Sequence, residues 1–315
     1  MAFLADIVFF TIFALVLGKT SIWIVRSLSK ISSFLRLSEF TSGFIILALA
    51  TTLPELFVGI NAAISKNPAL SLGNVIGSNV VNLTFILAIA VLLSKGISIE
   101  SKIVRQDSLY MLLTASLPVL LMLDGKITRL EGALLIVAFF IYIFKVAKDR
   151  KKFEKPANQY KKYELFNAFA VFIVSSILLL ISASFLVKFA VNIARDLNVA
   201  PILIGIFLLA FGTSLPELSL AIRSSLSGHS GITLGDLIGS VIINSTLVVG
   251  VTSLISPVIA NYTIFITSSF FMLLTCLLVM AFIHTGNRLT VKEGAILLIV
   301  YALFTIIELS INLVK

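Results

Sequence analysis

The chain of 315 residues has one cysteine, two histidines and only 12% charged residues. A lone thiol, Cys276, excludes an intrachain disulfide; standing in an apolar run, it reads as a small buried core residue. His229 and His284 both fall between apolar runs, and no His-Glu-x-x-His occurs, so neither a zinc or copper site nor an intramembrane metalloenzyme is expected. Acidic residues are scarce too: 15 Asp and Glu against 24 Lys and Arg leave a net charge of +9. That excess sits in short segments between apolar runs, without aromatic interleaving, which argues against nucleic acid and makes the charges topological markers.

What the chain has in abundance is apolar sequence, at 59% of residues, more than a soluble domain of this length could hide. Runs long enough to span a bilayer fall at about 3–25, 41–65, 70–94, 107–123 and 128–147, and again at about 166–192, 200–226, 233–255, 260–283 and 290–313. The expected fold is an all-α integral membrane protein of ten transmembrane helices. It divides into a first five-helix repeat over 1–147, a basic linker over 148–163 and a second five-helix repeat over 164–315. Lys148–Tyr163 is the one substantial hydrophilic connection. It carries Lys148, Arg150, Lys151, Lys152, Lys155, Lys161 and Lys162.

If that linker is cytoplasmic, the inside loops also gather Arg26, Lys30, Arg36, Lys95, Lys102, Arg105, Arg223, Arg288 and Lys292. Outside remain Lys66, Lys126, Arg129, Lys188, Arg195 and Lys315. The bias predicts a multi-pass protein of the cell membrane with both termini outside. Met1–Asp6 lacks a basic n-region and a cleavage site, and is expected to be the outer end of the first span rather than a removable signal. Five spans per half force the second half to cross in the opposite sense, so the repeats are expected to have inverted topology.

One stretch organises the rest. Ala48–Glu55 reads Ala-Leu-Ala-Thr-Thr-Leu-Pro-Glu inside an apolar run, and Ala210–Glu217 repeats it as Ala-Phe-Gly-Thr-Ser-Leu-Pro-Glu. The offset stays at 162 from Gly43/Gly205 to Asn82/Asn244 without a gap, the mark of an internal duplication. A charge at the centre of a membrane helix costs roughly 2.5–3.5 kcal/mol even on the lenient insertion scale. Pro54 and Pro216 lack the amide that continues a helix, and irregular backbone at membrane depth survives only when buried in protein or lining a wet cavity. Spans two and seven are therefore predicted to be broken helices beside an ion site.

Thr51 and Glu55, Ser78 and Asn82, Thr213 and Glu217, and Ser240 and Asn244 are each four residues apart, which puts each pair on one helical face. Such stripes, with carbonyls freed at the breaks, could form an all-oxygen cage suited to a hard cation such as calcium. A membrane serine or threonine can equally bond its own helix or glue two helices together. Glu55 and Glu217 resist that bland account, because neither has a basic partner nearby on its own helix. Gly73, Gly77, Gly235 and Gly239 read as packing residues, and Asp6 and Glu308 as interfacial ones.

At these residues the sequence resembles the sodium/calcium exchanger family of the calcium/cation antiporter superfamily. Gly43–Asn82 and Gly205–Asn244 look like its α-repeats, each with a Pro-Glu motif followed by Gly-Ser-x-x-x-Asn. The resemblance implies an antiporter, not an enzyme, exchanging calcium for sodium by alternating access and needing no cofactor beyond the transported ions. It implies calcium ligands at Glu55 and Glu217 with the carbonyls of Thr51 and Thr213. It further implies sodium sites at Ala48, Thr51, Thr52 and Ser78, and at Ala210, Thr213, Ser214 and Ser240, with Asn82 completing the centre and spans one and six sliding. Asn244 departs from the aspartate of many relatives, which leaves Glu55 and Glu217 as the only fixed negative charges expected. The coupling ion therefore stays open between sodium, proton and potassium, and a cation channel is the reading from another class. Expected partners are calcium and sodium ions and the lipid bilayer, with a monomer as the assembly.

Overall fold

The computed structural model describes residues 2–34, 47–99, 102–150 and 162–313. Gly43, Arg36, Lys315 and the linker residues 151–161 lie outside them. The first half runs through α1 (Ala2–Phe34), α2 (Leu47–Thr51), α3 (Leu53–Ile64), α4 (Pro68–Val81), a π-helical turn at Asn82–Ile86, α5 (Leu87–Leu93), α6 (Lys102–Leu121) and α7 (Arg129–Arg150). The second runs through α8 (Lys162–Asp196), α9 (Pro201–Ile204), a π-helical stretch at Gly205–Leu209, α10 (Ala210–Thr213), α11 (Leu215–Leu226), α12 (Ser230–Ile243), a π-helical turn at Asn244–Val248, α13 (Val249–Ile255), α14 (Tyr262–Thr285) and α15 (Val291–Leu313).

Among the described residues, seven helices are long and apolar enough to cross a membrane, or eight if the pair Pro201–Thr213 and Leu215–Leu226, bent by 44°, is one span. The bounds of α3, α4, the π turn and α5 recur 162 positions later in α11, α12, the second π turn and α13. Local chemistry recurs with them. In each π turn a threonine hydroxyl takes the carbonyl four residues back, Thr84 on Val80 at 2.5 Å and Thr246 on Ile242 at 2.6 Å. The hydroxyl competes with the amide that would hold an α-helical turn, and the backbone widens there. Likewise α7 and α15 begin with reciprocal capping boxes, Thr128 with Glu131 and Thr290 with Glu293.

Two short antiparallel ladders join the halves. β1 (Ile97–Ser98) pairs with β4 (Arg288–Leu289), and β2 (Lys126–Ile127) pairs with β3 (Val258–Ile259). Beside the first ladder, Arg105 donates to Asn287 Oδ1 at 2.8 Å and Arg288 donates to the Lys95 carbonyl.

The core lies along α4 and α12. The apolar stretches Pro68–Leu93 and Ser230–Ile255 are about four-fifths buried inside the protein, whereas α1 and α8 are only about one-third buried. The outer helices present Leu4, Leu130, Phe144, Phe166 and Ile299 outward, as lipid-facing surfaces do. Along α1 and α8 the rings of Phe9 and Phe189, and of Phe13 and Phe185, stack with centroids 5.3 and 4.6 Å apart. Glu308 is buried against protein on α15, where the Thr267 and Ser268 hydroxyls of α14 donate to its Oε1. Those two donors supply the solvation that an interface would otherwise provide. Asp6 accepts from Asn192 Nδ2 at 3.3 Å.

Small residues set how closely the centre packs. A Cβ at Gly73 would stand 2.2 Å from the Ile202 carbonyl oxygen, and one at Gly77 2.2 Å from that of Ile206. Both obstacles are backbone, so neither can swing away, and both glycines have the packing role read from the sequence. Gly77→Val is expected to destabilise the protein by about 1–3 kcal/mol or to abolish folding, as overpacking does. Gly231→Ala, where a Cβ meets nothing within 4 Å, should leave the melting temperature in detergent within a degree or so of wild type. Equal melting temperatures for Gly77→Val and wild type would show that α4 does not pack backbone-to-backbone here.

Candidate ion-binding site

Both breaks follow from the same local physics. Thr52 and Ser214 precede α3 and α11, and each helix has its proline in the first turn, where no intrahelical amide bond is lost. The cost falls one turn earlier, where the Ala50 and Gly212 carbonyls have no amide four residues on to accept from. Glu55 and Glu217 occupy those first turns, so each carboxylate sits at the positive end of a helix dipole. Neither side chain is exposed.

The hydroxyls around them bond across the two halves. Thr51 Oγ1 of α2 donates to Asp236 Oδ1 of α12 at 2.9 Å and lies 3.4 Å from Ser240 Oγ. On the other side Thr213 Oγ1 of α10 donates to Asn74 Oδ1 of α4 at 3.2 Å and lies 3.4 Å from Ser78 Oγ. Ser78 also reaches Glu55 Oε1 at 3.4 Å. Asn244 Nδ2 donates to Asn79 Oδ1 at 3.2 Å, and Asn79 Nδ2 donates in turn to Ser245 Oγ at 3.0 Å. Ala48, Thr51, Thr52, Ser78, Asn82, Ala210, Thr213, Ser214, Ser240 and Asn244 are all buried with the two glutamates.

Several of these atoms have no hydrogen-bond partner among the described residues: Glu55 Oε2, both carboxylate oxygens of Glu217, Asp236 Oδ2, Asn82 Oδ1 and Asn244 Oδ1. Leaving a buried acceptor unpaired costs about 1–3 kcal/mol, more if it is charged. The donor set is wholly oxygen, which fits a hard cation that brings its own positive charge. Cys276 is buried in α14, and both histidines are exposed. Among the described residues no three acidic, histidine or cysteine side chains converge as a resident metal centre would require. The cage is looser than that, with hydroxyls and amides between its acids. The Ala48 and Ala210 carbonyls are engaged by their own helices, through Thr52 Oγ1 at 2.7 Å and Ser214 N at 3.1 Å.

A family model described as sodium/calcium exchanger protein matches residues 5–147 and 167–309. The chain belongs to the sodium/calcium exchanger family. Within that family it is 28% identical to the sodium/calcium exchanger MaX1 of Methanosarcina acetivorans, over 92% of this chain and 95% of that protein. It is also 28% identical to the inner membrane protein YrbG of Escherichia coli, over 68% and 69% of the two chains. A solved structure of the sodium-calcium exchanger NCX_Mj, soaked with 10 mM sodium and no calcium, superposes with a TM-score of 0.70 at 25% identity, covering 96% of this chain and 98% of that one. As a family member the chain is a multi-pass α-helical membrane transporter and an antiporter of the calcium/cation class.

Within this exchanger the structure corrects one sequence expectation. Glu55 and Glu217 are not the only acids at the centre: Asp236, 1% exposed, joins them through Thr51. Its signal was present in the sequence, since it is the one charged residue of Ser230–Ile255 and lies inside the duplicated block opposite Asn74. Asn74 and Asn79 were also missed, hidden among residues that read as helix packing.

Thr51→Val would strip the donor from the Asp236 carboxylate, and Thr213→Val the donor from the Asn74 amide oxygen. Both variants should be less stable than wild type, by about 1–3 kcal/mol, with Thr51→Val the worse because its orphaned acceptor is ionisable. Thermal unfolding in detergent measures this, and the reverse order would mean that the Thr51 bond to Asp236 is not formed in solution.

Proposed function

We propose that this chain exchanges calcium for sodium across the cell membrane by alternating access, with calcium held between Glu55 and Glu217. The observation that carries the reading is their placement. Two corresponding broken helices, one from each half, bury two carboxylates with three unpartnered oxygens amid hydroxyl and amide donors. Two acids neutralise one divalent cation, and the surrounding hydroxyls are neutral ligands for monovalent ones. The likeness to MaX1 and NCX_Mj, both sodium/calcium exchangers, supports sodium as the coupling ion. A channel is disfavoured by the burial of every ligand.

The wider architecture belongs to the same proposal. Ten spans in two inverted repeats of five are supported by the recurrence of α3–α5 in α11–α13, with α2–α3 and α9–α11 as the broken spans. The cluster of Lys95, Arg105 and Arg288 at the β1–β4 ladder supports a cytoplasmic assignment for that end and for the linker, leaving both termini outside. Helices α1 and α8, which pack on each other at the edge of the core, are the pair expected to slide. A monomer suffices for the cycle, since both halves of the site lie in one chain.

Glu55→Gln and Glu217→Gln are each expected to abolish calcium uptake into proteoliposomes driven by internal sodium, while the protein stays folded by size-exclusion profile. Near-normal flux in either folded variant would remove that residue from the site. Setting sodium, potassium and proton gradients separately tells sodium coupling from its rivals. Orientation has its own test: in a Cys276-free background, a cysteine at Lys155 should react with an impermeant maleimide only from the cytoplasmic face. Labelling from outside would invert the topology.

A further inference from the structure

The two halves of the cage differ by one acid. Under the offset of 162, Asn74 and Asp236 are counterparts, and each accepts from the threonine of the opposite half, Thr213 at 3.2 Å and Thr51 at 2.9 Å. The same geometry therefore holds a neutral amide on one side and an acid on the other. Asp236 is buried, and its Oδ2 has no hydrogen-bond partner among the described residues. The charged groups it faces are Glu55 and Glu217, both acidic, so it adds to their field rather than cancelling it.

Ser240 Oγ lies 3.4 Å from the Thr51 hydroxyl that bonds Asp236. One carboxylate and two hydroxyls make a compact oxygen set with a single negative charge. A divalent ion is better served by the two glutamates, whereas a set of charge −1 balances a monovalent cation. We propose that Asp236 is a specificity-determining ligand of a sodium subsite shared with Thr51 and Ser240, and that the mirror subsite of Asn74, Thr213 and Ser78 holds sodium more weakly. The inference rests on the sodium-for-calcium reading above and assigns unequal roles to its two halves.

Asp236→Asn makes the halves alike, and two fluxes in proteoliposomes read the result. The first is calcium uptake driven by internal sodium. The second is exchange of labelled for unlabelled calcium with no sodium present. The half-saturating sodium concentration is expected to rise about tenfold or more on losing the charged ligand. Its cooperativity should flatten, and calcium self-exchange should fall far less than sodium-driven uptake. Equal losses in both fluxes, or an unchanged sodium response, would overturn the assignment. If Asp236→Asn does not fold, Asn74→Asp decides: an acid on the weaker side should lower the half-saturating sodium concentration, and an unchanged or higher value refutes the asymmetry. Wild-type protein without any sodium-driven uptake would instead defeat the sodium-coupled reading itself.

Discussion

Everything in this fold answers to the expense of holding carboxylates in an apolar slab. Glu55, Glu217 and Asp236 are all buried, so protein dipoles must do much of the work that water does for an exposed acid. A continuous helix offers few dipoles, because its amides and carbonyls bond one another. Breaking the helix at Pro54 and Pro216 turns two amide-rich helix starts toward the acids. The break that would weaken an ordinary span is what makes these residues tolerable.

Neither half could do this alone. The hydroxyl of each broken helix bonds a partner on the central helix of the other half, Thr51 to Asp236 and Thr213 to Asn74. Those bonds need α4 and α12 close to the breaks, and Gly73 and Gly77 let the Ile202 and Ile206 carbonyls come within reach of α4. Packing and polar chemistry are one design here: the glycines bring backbones together, and the short polar side chains reach across the gap.

Much of this was legible in the sequence because duplication writes the same message twice. The Pro-Glu motifs fall at two helix starts and the hydroxyl stripes on buried helices, while seven of the apolar helices, or eight with the bent pair, are long enough to span. Three things were not legible. The pairing of Asp236 with Thr51 is one, since contact between residues 185 apart leaves no local trace. The burial of Glu308 is another, since its partners are hydroxyls on α14, forty residues away in the chain. The π turns at Asn82 and Asn244 have no periodic signature, as one extra residue per turn is lost among apolar side chains.

The ladders at the two ends have a mechanical meaning. β1–β4 clips the connection after α5 to the one before α15, and β2–β3 clips the connection before α7 to the one before α14. The helices adjoining these clips are fastened into a chassis at both faces of the bundle. Among the described residues no strand fastens α1 or α8, which meet through stacked phenylalanine rings. Backbone ladders hold the frame, whereas ring stacking and single side-chain bonds, Asn192 to Asp6 and Ser184 to Asn61, hold the outer pair, so the two parts of the bundle are fastened by contacts of different kinds.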